Sequence, residues 1–386
     1  MCQYIVLPRS LSHSTAFSIK PDPLTSLWFT LHSVSDHRRA QGKRYPLPNI
    51  LIFAILAILC GQGSYLGMAE WVENYQDILK KQTPWLAYQF PDSSTFYRVL
   101  SGLDAESLEA VFVHWIGIVS SADQGEGIAL DGKSVNGTGL HLVSAFAHRA
   151  RSVLCEQGTD TKGKELVIGP QVLSKLDISG KIVTGDALFA QRSICRQVTT
   201  AQGGYVIAVK GNQEQLEQAI QLLFQQPPWG VKFDIHYQLD KQKGRVEERT
   251  VEVSNELNDY LDWPGLTHVW RVTSKVTVKD KTTIAIRVGI ARLLNPTDPA
   301  QQVAKYIRGH WSIENCLHRQ RDVQFGEDKC TIRTRAGPQV MAALRNLVTT
   351  ILYQASARSF KSVFRRFAAK PEELLEFLGL TSVSYV

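Results

Sequence analysis

At 386 residues, 44% of them hydrophobic and 20% charged, the chain has the make-up of a folded protein with a sizeable core and room for two or three domains, which excludes a disordered one. A net charge of +7 and a pI near 9.0 suit a polyanionic partner and are equally compatible with an ordinary soluble enzyme. Six cysteines without a Cys-x-x-Cys pair exclude a disulfide framework and a ribbon-type zinc site, and fit a reducing cytoplasm.

Residues 1–22 lack a charged start followed by an apolar core, so they read as a loose tail rather than a signal peptide. Residues 23–122 read as a helical N-terminal domain. Its apolar run from Ile50 to Cys60 falls well short of the roughly 20 residues that span a bilayer, so it predicts a buried helix and no membrane partner. Further helices are predicted over 65–81, from Ser93, and over 104–120, the last with Leu108, Val111, Phe112 and Trp115 on one face. Such a head either contacts DNA or caps the rest of the chain.

Near Gly127 the pattern changes. Ile128–Lys133, Leu140–Phe146 and Ser152–Cys155 predict a three-stranded meander. A helix (165–176), a buried strand (181–186), a helix (190–200), a strand (205–210) and a helix (213–225) follow. Residues 123–228 are thus the first part of an α/β core, a mixed sheet with flanking helices. Residues 229–293 hold the strand-like runs 250–254, 269–273, 275–279 and 283–288 and read as a β-rich insertion. Residues 294–386 return to helices, the first of them carrying His310-Trp-Ser-Ile-Glu314 and the later ones spanning 341–354 and 359–378.

Three acids stand out. Asp131 ends the first core strand before Gly132-Lys133, and Asp186 ends the fourth after Gly185. Each has an everyday alternative, an Asp-Gly turn for Asp131 and a helix cap for Asp186. Glu314 shares a helical stripe with His310, four residues before it, and Arg321, seven after, beside the apolar pair Ile313 and Leu317; the alternative is a solvated face next to a core face. First and fourth strands are commonly neighbours in such a sheet, so the acids would converge and repel, and divalent cations are the natural compensation. Oxygen-only ligands favour magnesium or manganese, and two such ions form the clamp used for in-line displacement at phosphorus. A metal site from Cys316, His318 and Cys330 matches no zinc spacing.

The runs Leu-Asp131-Gly-Lys133, Leu140-His-Leu-Val-Ser-Ala-Phe, Ile-Val-Thr-Gly-Asp186-Ala, Val-Lys210-Gly-Asn212-Gln and His310-Trp-Ser-Ile-Glu314-Asn-x-Leu-His resemble the DDE transposases of bacterial insertion sequences, in their H-repeat-associated branch. The resemblance covers roughly residues 36–353. It implies an RNase H-like catalytic core, with Asp131, Asp186 and Glu314 as the catalytic, metal-binding triad for two Mg2+ or Mn2+ ions. Asp131 would bridge both ions. The implied reaction is hydrolytic nicking at the element's ends and attack of the freed 3′ hydroxyl on target DNA, by a homodimer on double-stranded DNA in the cytoplasm, associated with the nucleoid. Lys133, Lys210 and Asn212 are expected at the same sheet edge, holding phosphates, with surface solubility as the alternative for the lysines. His310 and Arg321 are expected on the cleaved strand, with Arg308 and Lys305 adding positive potential one turn earlier. Four features depart from the branch pattern: Asn136 in place of Arg, Lys162-Gly-Lys-Glu165 in place of Lys-Ser-Asn-Glu, Arg319 in place of Trp, and Arg321 in place of an apolar residue. They leave a decayed, DNA-binding relic and a nuclease that cuts without joining as the competing readings.

Overall fold

A nine-stranded mixed sheet, in the order β3-β2-β1-β4-β5-β9-β8-β7-β6, organises the chain, whose computed structural model describes residues 27–86, 89–120, 123–159, 163–242, 244–279 and 281–382. The expected tail, 1–22, lies outside the described residues. Strands β1 (Gly127–Ser134), β2 (His141–Ala147) and β3 (Val153–Thr159) form the predicted antiparallel meander. Strands β4 (Ile182–Gly185) and β5 (Gly204–Val209) then join β1 in parallel, each reached through a helix. This is the RNase H-like arrangement that the resemblance implies.

The 229–293 stretch continues the same sheet. Strand β9 (Lys281–Arg292) pairs antiparallel with β5 from Val209↔Val288 to Tyr205↔Arg292, and β8 (His268–Val278), β7 (Arg245–Ser254) and β6 (Asp234–Gln242) extend outward from it. Two of the predicted runs, 269–273 and 275–279, are one strand: Ser274-Lys275, which look like a break, sit mid-strand opposite Arg249 and Glu248. Strand β6 was not singled out in the sequence, although Ile235, Tyr237 and Leu239 alternate with polar residues as a half-covered strand requires.

The N-terminal helices are α1 (Leu27–Leu31), α2 (Leu47–Leu59), α3 (Tyr65–Asn74), α4 (Gln76–Gln82), α5 (Ser93–Leu100) and α6 (Ala105–Val119). Asp92 and Asp104 cap the last two by accepting from the Thr95 and Glu106 N–H groups. By length and apolarity the helical stretch from Ala40 to Leu59 could cross a membrane. Yet residues 50–59 are at most 1% exposed, because α1, α3, α5, α12 (Gly337–Gln354) and α13 (Phe360–Ala369) pack around α2. A helix apolar on every side is what such enclosure selects. Helix α14 (Pro371–Phe377) closes against α4.

Helices α7 (Glu165–Ser174), α8 (Arg192–Thr200) and α9 (Glu214–Gln225) connect the core strands. A long helical rod crosses the sheet: α10 (Pro299–Ser312), a π-wound turn (Ile313–His318) and α11 (Arg319–Val323). Ile313 and Leu317 seal it against Ala129, Phe146 and Val153, while Val303 and Tyr306 pack with Val251, Val253 and Trp270. One rod therefore touches both the core strands and their extension.

Candidate active site

Register brings two of the acids together. Leu130 on β1 lies beside Gly185 on β4, where the pairing of these two strands stops. Asp186 lies just past β4, whereas Asp131 does not end its strand as expected but sits mid-strand, paired with Ser144, because β2 carries β1 on to Ser134. The two acids thus follow at the same level, roughly 4.8 Å apart in the pairing direction. This is the carboxyl end of the sheet, where the connections turn away and leave room for a ligand. The Asp131 Oδ1 accepts from the Gly132 N–H at 2.8 Å, and the Asp186 Oδ1 accepts from the Leu188 N–H at 3.0 Å. Asp186 thus fills the capping role its position suggests and still faces the cavity that Asp131 and Glu314 line.

The rod supplies the third acid and an imidazole. Glu314 is exposed on the π-wound turn, and the His318 Nε2 lies 3.2 Å from the Asp131 Oδ2. Ligand atoms of Asp131, Glu314 and His318 all fall within 4.8 Å of one another. His318 was quoted in the sequence only as the end of a motif and as a poor zinc candidate. The signal that could have found it is its place one turn after Glu314. Neither Cys316 nor Cys330 joins this group among the described residues.

The electrostatics differ between the two aspartates. Burial pushes the Asp131 carboxyl up, but the His318 hydrogen bond and charge and the Gly132 N–H outweigh it and hold the group below the usual carboxylate range. Burial and then the neighbouring Asp131 raise Asp186, with Glu165 adding to the repulsion. Among the described residues no Lys or Arg pairs with Asp131, Asp186 or Glu314, so His318 is the basic side chain that meets the acids.

Of the expected DNA contacts, Lys210 lies exposed on the cavity wall, and Asn212 braces the loop after Asp186, its Nδ2 donating to the Ala187 carbonyl at 2.6 Å. Lys133 is drawn instead to Asp322 at 2.5 Å and is only 11% exposed. Arg308 pairs with Asp240 on β6 at 2.7 Å. His310 also lines the cavity, with its Nδ1 3.0 Å from the Thr184 Oγ1.

Arg321 is a correction. It is 0% exposed and turns into the protein, where it binds Glu156 at 2.5 Å and Glu327 at 2.8 Å, with Arg345 donating to the same Glu327 oxygen at 3.0 Å. The reason is the π-wound turn: i→i+5 bonding turns the chain less per residue than an α-helix, so seven positions after Glu314 no longer return to the same face. Such turns are over-represented at functional sites.

Sequence reasoning also missed the support behind the site. The His148 Nε2 lies 3.0 Å from the Thr184 Oγ1, giving a chain His148–Thr184–His310 beneath the acids. Burial first, then His310 and Lys305, push the His148 imidazole down to about 3, and burial also lowers His310. Glu165, noted only within an altered motif, lies against Gly132, where an added Cβ would sit 3.0 Å from its Cγ. All of this borders an open cavity of about 970 Å3 that runs from the acids past Trp311 to Trp270 and Ile286.

Residues 103–351 match the transposase DDE domain family, and residues 28–116 match the DDE-transposase-associated family that accompanies it. The H repeat-associated protein YhhI of Escherichia coli K12 is 28% identical over 347 residues, covering 86% of this chain and 91% of YhhI. YncI of Escherichia coli O157:H7 is 29% identical over 83% of this chain and 85% of its own length. A protein from the dhlA 3′ region of Xanthobacter autotrophicus is 33% identical over 67% of this chain and 87% of its own.

Proposed function

Because this chain belongs to the transposase DDE family, we propose that it cleaves DNA at the ends of an insertion sequence and joins the freed 3′ hydroxyl to target DNA. The observation that carries the proposal is the register of Asp131 beside Asp186, with Glu314 brought by the crossing rod to the cavity they line and no Lys or Arg paired with any of the three among the described residues. Such a donor set fits divalent metal ions, with Asp131, Asp186 and Glu314 as their holders. Bound there, Mg2+ or Mn2+ would activate the attacking oxygen and stabilise the leaving one.

The chain's own residues do the rest. Asp131 stays ionised through His318 and Gly132, so it is ready to bind a cation near neutral pH. Lys210, exposed at the same edge, is placed to hold a phosphate of the bound strand. Asn212 acts on DNA only indirectly, by holding the loop that presents Asp186. Double-stranded DNA carrying the element's terminal inverted repeats, a homodimer that handles two ends together, and a nucleoid-associated cytoplasmic location complete the reading.

The test is cleavage of a labelled duplex carrying the element's own end, with Mg2+, Mn2+ or chelator, by the intact protein and by Asp186→Ala. Cutting that needs metal, is lost in the variant and yields products joined to a second DNA is the expected result. Cutting without joining would make the protein a nuclease of this fold, and binding without cutting would make it a relic.

A further inference from the structure

We infer that His318 is a metal ligand, so that the two ion positions are chemically unequal: one of mixed nitrogen and oxygen donors from His318, Asp131 and Glu314, the other of oxygen alone from Asp131 and Asp186. This rests on the proposed reading of the site as a two-ion centre.

Three observations carry it. First, the tight group of donor atoms is Asp131, Glu314 and His318, all within 4.8 Å, and Asp186 is outside it. An ion with donors about 2.1 Å away needs donor atoms no more than about 4.2 Å apart, so a closure of roughly half an ångström assembles this position. Second, the imidazole cannot easily leave. His318 is 4% exposed, its helical turn is fixed by Ile313 and Leu317 against Ala129 and Phe146, and its Nε2 already points at the Asp131 Oδ2 from 3.2 Å. Third, its Nδ1 is buried without a hydrogen-bond partner, so among the described residues the Asp131 carboxylate is the one neighbour that holds the ring proton, on Nε2, and a cation that takes the place of that proton at Nε2 meets no competing tie at Nδ1. With the proton on Nε2, the ring donates to Asp131; with it on Nδ1, the Nε2 lone pair is free for a cation.

The unpartnered Nδ1–H of that second form carries the desolvation cost of a buried donor. A cation that gains from a nitrogen donor can offset this; one that binds almost wholly through oxygen cannot. The mixed position should therefore prefer Mn2+ to Mg2+, against the oxygen-only set that the acids alone suggest. A role limited to orienting Asp131 through the hydrogen bond is the competing account, and it predicts no such preference.

Pulsed electron paramagnetic resonance on the Mn2+-loaded full chain separates the two. The expected result is 14N modulation from a directly bound imidazole in the unaltered protein, retained in His310→Gln and lost in His318→Gln, with Mn2+ affinity falling roughly 10–100-fold in the latter and Mg2+ affinity far less. Bound Mn2+ without 14N coupling, or coupling that survives His318→Gln, overturns the assignment, and the unaltered protein gives the first of these answers even if the variant does not fold. DNA ends cut under an oxygen-only Mn2+ spectrum would sink this inference and leave the reaction standing. Nitrogen-bound Mn2+ without any cutting would do the reverse.

Discussion

Arg321→Leu tests the buried charge network, because it restores the apolar character that the resemblance leads one to expect there. The guanidinium is fully enclosed and joins Glu156 from β3 to Glu327 beyond the rod. Burial alone would raise the Glu327 carboxyl, but Arg321 first and Arg345 next hold it down. Burial and then Glu156 push Glu109 up to about 8, so it is protonated near neutral pH, and its Oε1 accepts from the Glu156 N–H at 2.8 Å. The network is then balanced, with Arg321 and Arg345 against Glu156 and Glu327. Removing Arg321 leaves Arg345 for Glu327 but strands the Glu156 charge with the Ser144 hydroxyl at 2.5 Å as its remaining side-chain partner. Breaking a buried pair from one side costs about 3–5 kcal/mol. Urea unfolding should show that loss, and Arg321→Leu with Glu156→Gln should recover about half of it or more, since the two positions are coupled. Anisotropy with labelled DNA, at urea concentrations where both proteins are folded, should show unchanged affinity. A loss below about 1 kcal/mol, additivity of the two changes, or weakened DNA binding by a stable Arg321→Leu protein would refute the reasoning.

Two further outcomes follow from the support behind the acids. A Cβ at Gly309 would sit 2.2 Å from the His148 Nδ1, so Gly309→Ala should push α10 off β1 and lower stability by about 1–3 kcal/mol; pairing it with His148→Ala should relieve part of this, and an unchanged unfolding midpoint for the single variant would exclude so close a contact. His148 has a folded pKa depressed to about 3 against 6.5, so the unfolded chain takes up the proton first and stability falls as pH drops below about 6.5 towards 3. Between pH 7 and pH 5 the loss should be about 1–2 kcal/mol, and His148→Asn should flatten that part of the urea-midpoint profile; a profile of the same slope in the variant would assign the loss to other groups.

The acids were legible because each ends an apolar run: Ile128-Ala-Leu before Asp131, Ile182-Val-Thr-Gly before Asp186. Strand alternation and the βαβ order suffice to place them at one edge. Their mutual register came only with the pairing of Leu130 and Gly185. Arg321 shows where spacing fails. A seven-residue interval reads as one face in an α-helix, and nothing in Ile313-Glu-Asn-Cys-Leu-His318 announces the π winding that turns it inward. Its partner Glu156 lies 165 residues away, beyond the reach of any periodic pattern. His148 and Thr184 were silent for the same reason: each looks like an ordinary residue of its own strand or turn until α10 lays His310 across them.

The departures from the branch pattern bear on whether this chain is a relic. Arg321, the one that looks most damaging, is the one the fold answers most fully, with two carboxylates at hydrogen-bond distance and a second arginine to balance them. An arginine arriving alone at a fully buried position would leave an unpaired charge and destabilise the core, so its matched partners point to a fold that adjusted around it. Asn136 stands exposed in the turn after β1, where an added Cβ at the adjacent Gly137 would sit 2.9 Å from the Arg333 Cζ, so a guanidinium still borders that turn. Arg319 is exposed beside the π-wound turn and disturbs no packing, and Lys162 lies outside the described residues. His318 with Asp131, Lys133 with Asp322 and Arg321 with Glu156 are all in place, so the departures leave these pairings around the acids intact.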